Sequence, residues 1–296
     1  MIPFVRDFDF ACGRRDQVSS LIQRVVANNP GPFTYAGTST FIVGRDNPGA
    51  SVAVIDPGPA DEAHLLALLS AVEGRVVSHV LVTHTHRDHS PLAHPFANAV
   101  GAPILAAQPP KCQTHASGTL DEDEDDRFQP DTILSGGETI AGDGWTMKAL
   151  FTPGHASNHM AFALVDEHAL FCGDHVMGWS TTVVAPPDGN MSDYIESLDA
   201  VIAHDFDVLW PAHGPPIRDP RPFLAAYRTH RLDRERQILD RIRAGDTDIS
   251  TMVPILYAAV DPRLWPAASL SVRAHLDKLV REGRVRVDAA GRYTAG

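Results

Sequence analysis

Residues 76–90 read VVSHVLVTHTHRDHS, an apolar run that leads directly into a histidine-rich motif. The apolar run, at residues 76–83, is typical of a strand that is buried on both faces. Such strands belong to sheets with helices packed on them, so the stretch predicts an α/β protein with its site along one sheet edge. The end of this strand carries four candidate metal ligands, which are His84, His86, Asp88 and His89.

The spacing inside the motif divides it into two half-sites. His84 and His86 lie two residues apart, so on an extended backbone they point to the same side and can share one ion. Asp88 and His89 are adjacent, and they can face a second ion only after the chain turns. Imidazole nitrogen and carboxylate oxygen suit zinc, and the same ligand set accepts iron or manganese.

Three further ligand candidates follow other predicted strands. His155 stands in TPGH and would complete the first ion, and His213 stands in PAHG and would complete the second. Asp174, in CGDH, has two oxygens and can touch both ions. A single histidine in such a place is more often structural, but the order of the motifs together favours a dinuclear metal site.

The rest of the chain predicts a main body and a small C-terminal addition. Strand patterns at residues 33–45 and 51–56 predict a hairpin, and residues 61–72 predict an amphipathic helix that begins with acidic side chains. A long charged helix is expected from residue 221 to about 244, and a β-ribbon is expected at residues 284–294.

These patterns divide the chain of 296 residues into three parts. Residues 1–220 form the expected catalytic domain, residues 221–245 a linking helix, and residues 246–296 a winged-helix-like domain. This size fits one large core with an appendage.

Composition narrows the classes of function. The hydrophobic fraction of 44% and the charged fraction of 21% are ordinary for a globular protein, and the net charge of −12 works against attracting a polyanion. The first residues do not resemble a signal peptide and no apolar segment is long enough to span a membrane, so a cytoplasmic location without membrane contact is expected. Cys12, Cys112 and Cys172 are expected to be reduced. The acidic run 121–126 is interpreted as a solvated surface loop rather than a partner-binding or metal-collecting loop.

The motifs together resemble the metallo-β-lactamase superfamily. THTHRDHS, TPGH, CGDH and PAHG match its metal motifs, and Asp56 in IDPG matches its earlier acidic motif. Longer stretches, GDHVMGWSTTVVAPPDGNMSDY and PAHGPPI, are similar to the group called β-lactamase-like protein 2, and the chain also resembles hydroxyacylglutathione-hydrolase-like proteins. The resemblance implies a four-layer αβ/βα sandwich with a small C-terminal winged-helix-like domain.

The resemblance also implies roles for individual residues. One metal would be held by His84, His86 and His155, the other by Asp88, His89 and His213, with Asp174 bridging the two and Asp56 bracing the ligand loop. True β-lactamases of the commonest zinc type have a cysteine at the position of Asp174. Cys172 lies two residues earlier, so antibiotic hydrolysis is not expected.

Several smaller candidates surround these motifs. His175 is expected to support the ligands from behind. Trp179, Ser180 and Thr181 are expected to line a substrate pocket, and His159 is a candidate for substrate contact, with capping or packing as the alternative. The remaining histidines lack a motif and are interpreted as structural, namely His64, His79, His94, His115, His168, His204, His230 and His275.

The predicted chemistry is hydrolysis with two Zn²⁺ as cofactors. A hydroxide bridging the two metals would be the nucleophile and Asp88 would orient it, which makes Asp88 the predicted catalytic residue. The favoured substrate is a small ester, thioester or lactone.

Two alternatives stay open at this stage. The first is single-strand-preferring cleavage of RNA, the activity described for β-lactamase-like protein 2, for which Arg284 and Arg286 lie along the predicted ribbon. The second is a non-enzymatic protein whose C-terminal domain binds nucleic acid or forms a homodimer. An open position between two clustered ions favours catalysis over that reading, and the C-terminal domain is expected to pack on the body or on a partner subunit.

Overall fold

Two β-sheets stack face to face at the centre of the protein. The computed structural model describes residues 1–110 and 125–296. Within these residues the first sheet has seven strands in sequence order, β1 (Arg15–Gln17), β2 (Ile22–Val26), β3 (Ser39–Val43), β4 (Ser51–Ile55), β5 (Val76–Leu81), β6 (Ile104–Ala107) and β7 (Thr132–Leu134). The second sheet, within the same residues, has five strands, β8 (Thr139–Gly142), β9 (Trp145–Phe151), β10 (Met160–Leu164), β11 (Ala169–Gly173) and β12 (Val208–Pro211).

The pairing of the strands places the predicted ligands at one edge. β4 and β5 are parallel, so the residues that follow them, Asp56 and the histidine-rich motif, leave the first sheet at the same end. β11 and β12 are also parallel, and Asp174 and His213 follow them. β10 is antiparallel to both β9 and β11, so β9 runs in the same direction as β11 and delivers His155 to this edge as well.

Helices cover the outer face of each sheet. α1 (Glu62–Ala71) and α2 (Ala93–Val100) share a buried apolar cluster with the first sheet. α3 (Met191–Ala203) and α4 (Pro220–Arg243) share another with the second sheet. The expected four-layer αβ/βα sandwich is therefore confirmed.

The two sheets are held together by large apolar side chains from both. This inner cluster includes Ile22, Phe41, Leu81, Trp145, Phe162, Phe171 and Trp210. The indole nitrogen Nε1 of Trp145, in the second sheet, also donates a hydrogen bond of 2.9 Å to the carbonyl of Ser51 in the first. Because apolar burial between the sheets is extensive, the edge that carries the ligands has a rigid support.

The C-terminal part forms a small unit of its own. It contains α5 (Ile249–Leu256), α6 (Trp265–Arg281) and an antiparallel ribbon of β13 (Val285–Val287) and β14 (Tyr293–Ala295). Its apolar cluster includes Ile238 and Ile242 from the end of α4, so this helix belongs to both parts of the protein. The expected winged-helix-like architecture is confirmed, while the exact domain boundaries stay a prediction.

Several sequence expectations need correction or limits. The strand predicted at residues 33–45 is formed only at Ser39–Val43, and Tyr35 lies in a left-handed conformation with a φ of 57°, which ends any strand there. β1, β2, β6, β7 and β8 were not predicted. Within the described residues, no helix is both long enough and apolar enough for a membrane crossing.

Of the acidic run 121–126, only the last two residues are described by the structure. Cys112, His115 and residues 121–124 fall outside the described residues. Asp125, which follows, is partly buried rather than simply solvated. Its amide donates to the carbonyl of Thr85 at 2.7 Å, and its carboxylate accepts a hydrogen bond of 3.1 Å from Ser90. The end of the run is therefore attached to the histidine-rich motif.

Candidate metal centre

Seven side chains from four loops meet at the shared edge of the two sheets. Their ligand atoms form three overlapping groups, and within each group the atoms lie within 4.8 Å of one another. The groups are His84, His86 and His155; His84, His89 and Asp174; and Asp88, His89 and His213. The structure thus brings together every residue predicted as a ligand, in the two half-sites that the motif spacing suggested. Their role as ligands stays a prediction.

The first half-site consists of three histidines. Nε2 of His84 lies 2.9 Å from Nδ1 of His86, and Nε2 of His155 lies 3.7 Å from Oδ2 of Asp174. Ligand atoms of a tetrahedral zinc ion bonded at 2.0–2.1 Å stand about 3.3 Å apart. The spacing of these side chains therefore suits one ion.

The second half-site joins Asp88, His89 and His213. Oδ2 of Asp88 lies 3.0 Å from Nε2 of His213 and 3.4 Å from Nε2 of His89. Oδ1 of Asp174 lies 3.3 Å and 3.6 Å from the same two nitrogens. Because the other oxygen of Asp174 faces His155, its carboxylate is divided between the two half-sites, as a bridging ligand requires.

Hydrogen bonds on the far side of the rings select the nitrogen that faces the centre. Nδ1 of His155 lies 2.7 Å from the carbonyl of Val183, and Nδ1 of His213 lies 3.4 Å from the carbonyl of Gly37. A carbonyl can only accept, so Nδ1 carries the proton in both rings. In the neutral form of each ring, Nε2 then has a lone pair for a cation.

Asp56 organises the motif from behind. Its carboxylate accepts hydrogen bonds from the amide of Thr83 at 2.7 Å and from the hydroxyl of Thr83 at 2.8 Å. The same carboxylate accepts from Nδ1 of His89 at 2.9 Å, while the Thr83 oxygen lies 3.0 Å from Nδ1 of His84. Since the Thr83 hydrogen goes to Asp56, its oxygen accepts from His84. One carboxylate thereby directs Nε2 of a histidine in each half-site toward the centre.

Electrostatics of the centre fit a bound cation. Nε2 of His89, Nε2 of His155 and Oδ1 of Asp174 are buried without a hydrogen-bond partner among the described residues. Leaving such atoms unsatisfied is costly, and metal ions would satisfy all three. Burial opposes the charge on His213, but Asp174 and Asp88 overcome it and raise its pKa to about 10.

The pKa of His86 is shifted in the opposite direction to that of His213. Burial, with nearby histidines, lowers the pKa of His86 to about 3. As a ligand, His86 would be neutral at any physiological pH, whereas His213 would have to release a proton when a cation binds. The residues present fit a dinuclear metal site.

The turn that carries Asp174 depends on a glycine. Gly173 has a φ of +49°, and a Cβ placed there would lie 2.7 Å from Nε2 of His159 and 2.9 Å from Oγ1 of Thr83. His159 is fully buried, and its Nε2 accepts a hydrogen bond of 3.2 Å from the amide of Asp174. Its Nδ1 donates to Thr152 at 2.8 Å. This position favours a supporting role for His159 over the substrate contact considered from the sequence.

The residues predicted to line a pocket lie on the loop after Asp174. Trp179 is partly buried; its ring stacks on Tyr35 at a centroid distance of 4.9 Å and lies against the backbone of Gly214. Ser180 and Thr181 are partly exposed. Among the predicted ligands, Asp88 has a side chain that is 21% exposed, against 5% for Asp174, so the centre opens toward Asp88.

Two neighbours of Asp174 are separate from the cluster. The ring of His175 is fully buried against Tyr194, and neither ring nitrogen has a hydrogen-bond partner among the described residues. Burial lowers the pKa of His175 to about 3. Its backbone carbonyl accepts a hydrogen bond of 2.7 Å from Tyr194. Support of the ligands by His175 stays a prediction. Cys172 is buried, and burial raises its pKa.

Some residues beside the centre escaped the sequence analysis. Thr83 directly precedes His84, and this adjacency is the sequence signal that could have identified it. The loop that follows Asp174 ends at Thr182, and it is contacted there by Tyr227 and Arg231. Both of these residues lie inside a long charged helix. No local pattern distinguishes them there.

Comparison with family models covers most of the chain. Residues 34–213 match the model described as the metallo-beta-lactamase superfamily. Residues 249–292 match the beta-lactamase associated winged helix domain.

Curated relatives extend this likeness. An atrochrysone carboxyl ACP thioesterase of Aspergillus chevalieri is 34% identical over 77% of this chain and 67% of its own length. A beta-lactamase-like protein 2 homolog of Drosophila melanogaster is 28% identical over 92% of this chain and 91% of its own length.

Solved structures agree on the fold. A beta-lactamase domain protein from Burkholderia ambifaria has a TM-score of 0.78 and 21% identity, with 100% of this chain and 97% of that chain covered. A metallo-beta-lactamase family protein from Thermus thermophilus has a TM-score of 0.76 and 21% identity, with 95% and 100% covered.

Proposed function

This chain belongs to the metallo-β-lactamase superfamily of enzymes, and we propose that it is a dinuclear metal-dependent hydrolase of a small ester, thioester or lactone. The observation that carries the proposal is the division of the Asp174 carboxylate between two clusters of buried imidazole nitrogens. Zinc is the proposed metal, with iron and manganese as alternatives.

Bound cations would supply a coordinated water of lowered pKa and would polarise the carbonyl oxygen of the substrate. The protein's own residues supply orientation. The carboxylate of Asp88 lies on the open side of the centre, where it can accept a hydrogen bond from a water and direct that water toward a carbonyl carbon. The carbonyls of Val183 and Gly37 hold the rings of His155 and His213 in place.

The choice of a small acyl substrate rests on three observations. The net charge of −12 disfavours a polyanion, and a relative at 34% identity is named a thioesterase. The stacked rings of Tyr35 and Trp179 lie against Gly214, the residue that follows His213, and offer an apolar surface near the centre. An apolar wall with a few polar groups is typical of a small-molecule site.

Cleavage of single-stranded RNA is the alternative that the sequence left open. Three arginines of the C-terminal unit engage acidic partners, while Arg286 is exposed. Arg284 donates to Glu235, Arg273 to Asp277 and Arg292 to Asp288. These pairings reduce the positive charge that a phosphate backbone needs. They favour the acyl substrate. A homodimer and a cytoplasmic location also stay predictions from the sequence.

The test compares three substrates on one preparation. Purified protein with its metal content measured is assayed on an acyl thioester, a lactone and a single-stranded RNA. We expect turnover of the thioester or lactone, and a fall in kcat of at least about 100-fold in Asp88→Ala.

The matched control is Asp205→Asn, an exposed carboxylate that is paired with Arg221 far from the centre. Its activity should equal that of the wild type. Turnover of RNA alone, with a strong dependence on salt, would replace the acyl substrate with the alternative, and full activity of Asp88→Ala would refute the proposed role of Asp88.

A further inference from the structure

The loop from Asp174 to Thr182 is anchored at its far end by one buried threonine. The hydroxyl of Thr182 donates a hydrogen bond of 2.8 Å to the carbonyl of Asp174 and lies 3.3 Å from the carbonyl of His175. Thr182 is 1% exposed, so this bond is protected from water. The end of the loop is therefore tied directly to the backbone of the residue that bridges the two half-sites.

Two side chains of α4 hold this threonine. The amide of Thr182 donates to the phenol oxygen of Tyr227, and that phenol lies 3.1 Å from the Thr182 hydroxyl. The guanidinium of Arg231 donates to the carbonyl of Thr182. Amide, hydroxyl and carbonyl of one residue are thus all engaged, which leaves Thr182 little freedom to move.

Arg231 is itself fixed, although it is a buried cation. Its side chain is 4% exposed, and its guanidinium carbon lies 4.9 Å from the ring centre of Tyr194 and 5.5 Å from that of Tyr227. Tyr194 also donates to the carbonyl of His175 at 2.7 Å. Burying a charge is unfavourable unless its surroundings compensate for it. Here the aromatic faces and the Thr182 carbonyl do so in part, while Nε of Arg231 has no hydrogen-bond partner among the described residues.

The same face of α4 continues into the C-terminal unit. Tyr227, Arg231 and Glu235 are spaced four residues apart and therefore lie on one side of the helix. Glu235 accepts from Lys278 at 2.8 Å and from Arg284 at 2.7 Å. One helix face thus contacts the metal-centre loop at one end and the C-terminal unit at the other.

We propose that Tyr227 and Arg231 are positioning residues that hold the carboxylate of Asp174 between the two half-sites, a proposal that rests on the proposed dinuclear function. The backbone of Asp174 is gripped on both sides: its amide donates to His159 at 3.2 Å and its carbonyl accepts from Thr182 at 2.8 Å. Release of the second grip lets the carboxylate turn, and a displacement of about 0.5 Å is enough to impair a bridging ligand.

The experiment removes single hydroxyl groups. Tyr227→Phe keeps the ring beside Arg231, and Thr182→Val keeps the shape of the side chain. Metal-free protein is titrated with Zn²⁺ by calorimetry, and with Co²⁺ while the visible spectrum is recorded. We expect each variant to weaken the binding of the less tightly bound of the two metal ions by about 10-fold, as is typical when a hydrogen-bond partner of a metal ligand is lost. The Co²⁺ spectrum should change, and kcat should fall more than KM rises.

Two controls separate positioning from general stability. Tyr293→Phe makes the same chemical change in the C-terminal unit, where the ring belongs to the apolar cluster of that unit, and should leave metal binding unchanged. Thr182→Ser restores a hydroxyl and should recover most of the affinity. If the valine variant does not fold, the comparison of Tyr227→Phe with Tyr293→Phe decides the question.

Opposite results would overturn the proposal. Zn²⁺ affinity and Co²⁺ spectra equal to the wild type in Tyr227→Phe and Thr182→Val would reduce both contacts to packing. The metal titrations do not need a substrate. A wild type that binds two metals but hydrolyses none of the acyl substrates would therefore refute the proposed function while the positioning role is still decided.

Discussion

Replacing Asp56 with asparagine is expected to disable the metal centre without removing any ligand. Asp56 accepts three hydrogen bonds of 2.7–2.9 Å, two from Thr83 and one from Nδ1 of His89. An asparagine has one oxygen and one amide nitrogen, and the oxygen is needed by the Thr83 amide. The nitrogen then faces Nδ1 of His89, and two donors cannot share a hydrogen bond.

His89 responds by moving its proton to Nε2, the atom that faces the second half-site. A protonated nitrogen cannot bind a metal, so the substitution opposes metal binding at this position. Loss of such outer partners weakens metal affinity about 10- to 100-fold, or roughly 1.4–2.7 kcal/mol. The Thr83 hydroxyl also loses its acceptor, and because it orients His84, the first half-site should weaken to a lesser degree.

Competition titrations of Zn²⁺ against a chromophoric chelator measure this effect. The control is Asp166→Asn, because Asp166 accepts one backbone hydrogen bond of 2.7 Å from Thr146 on the surface of the second sheet. We expect Asp166→Asn to bind two metals as the wild type does. Wild-type affinity in Asp56→Asn, within a factor of about two, would refute the tautomer argument.

Two other predictions follow from single residues. Gly173→Ala should lower the free energy of unfolding by roughly 1–3 kcal/mol and weaken metal binding, because the new Cβ would meet His159 and Thr83 within 2.9 Å. The control is Gly74→Ala, at a φ of +77° with nothing within 4 Å of the new Cβ. Urea unfolding of this control should show only the smaller cost of the backbone conformation. Burial lowers the pKa of His64 from 6.5 to about 4, so the unfolded chain binds more protons between these values. Stability of about 3 kcal/mol that is present above pH 6.5 should be lost as the pH falls to 4, and metal-free His64→Gln should lack this part of the pH dependence in unfolding measured from pH 7 to 4. Equal costs for the two glycine variants, or parallel pH profiles for the two His64 forms, would contradict these assignments.

Much of the candidate metal centre could be predicted from short stretches of sequence. Alternate residues of a strand share one side, so the spacing of His84 and His86 is sufficient to pair them. The strands that end just before Asp174 and His213 predict ligands in the same way, because a residue that follows a strand lies at the edge of the sheet. The helix α1 and the ribbon of the C-terminal unit were likewise predicted from short-range patterns. The apolar residues of α1 are, however, not confined to one face, since Leu66 is 60% exposed.

Other features had no local signal. The strand predicted at residues 33–45 was too long, because apolar and β-branched residues continue through a turn in which Tyr35 instead packs on Trp179. His159 followed a ligand and was considered for substrate contact, yet the sheet buries it beneath Asp174.

The amino-acid sequence by itself determined the strand, the motif and the separation into two half-sites, because these depend on spacings of one to five residues. Only the tertiary structure decided how Asp174 is shared and what holds it. Parallel pairing brings β5, β11 and β12 to one edge, and α4 places Tyr227 and Arg231 against Thr182 across 45 or more positions of the chain. Contacts over such separations arise from packing of whole layers, which no short pattern records.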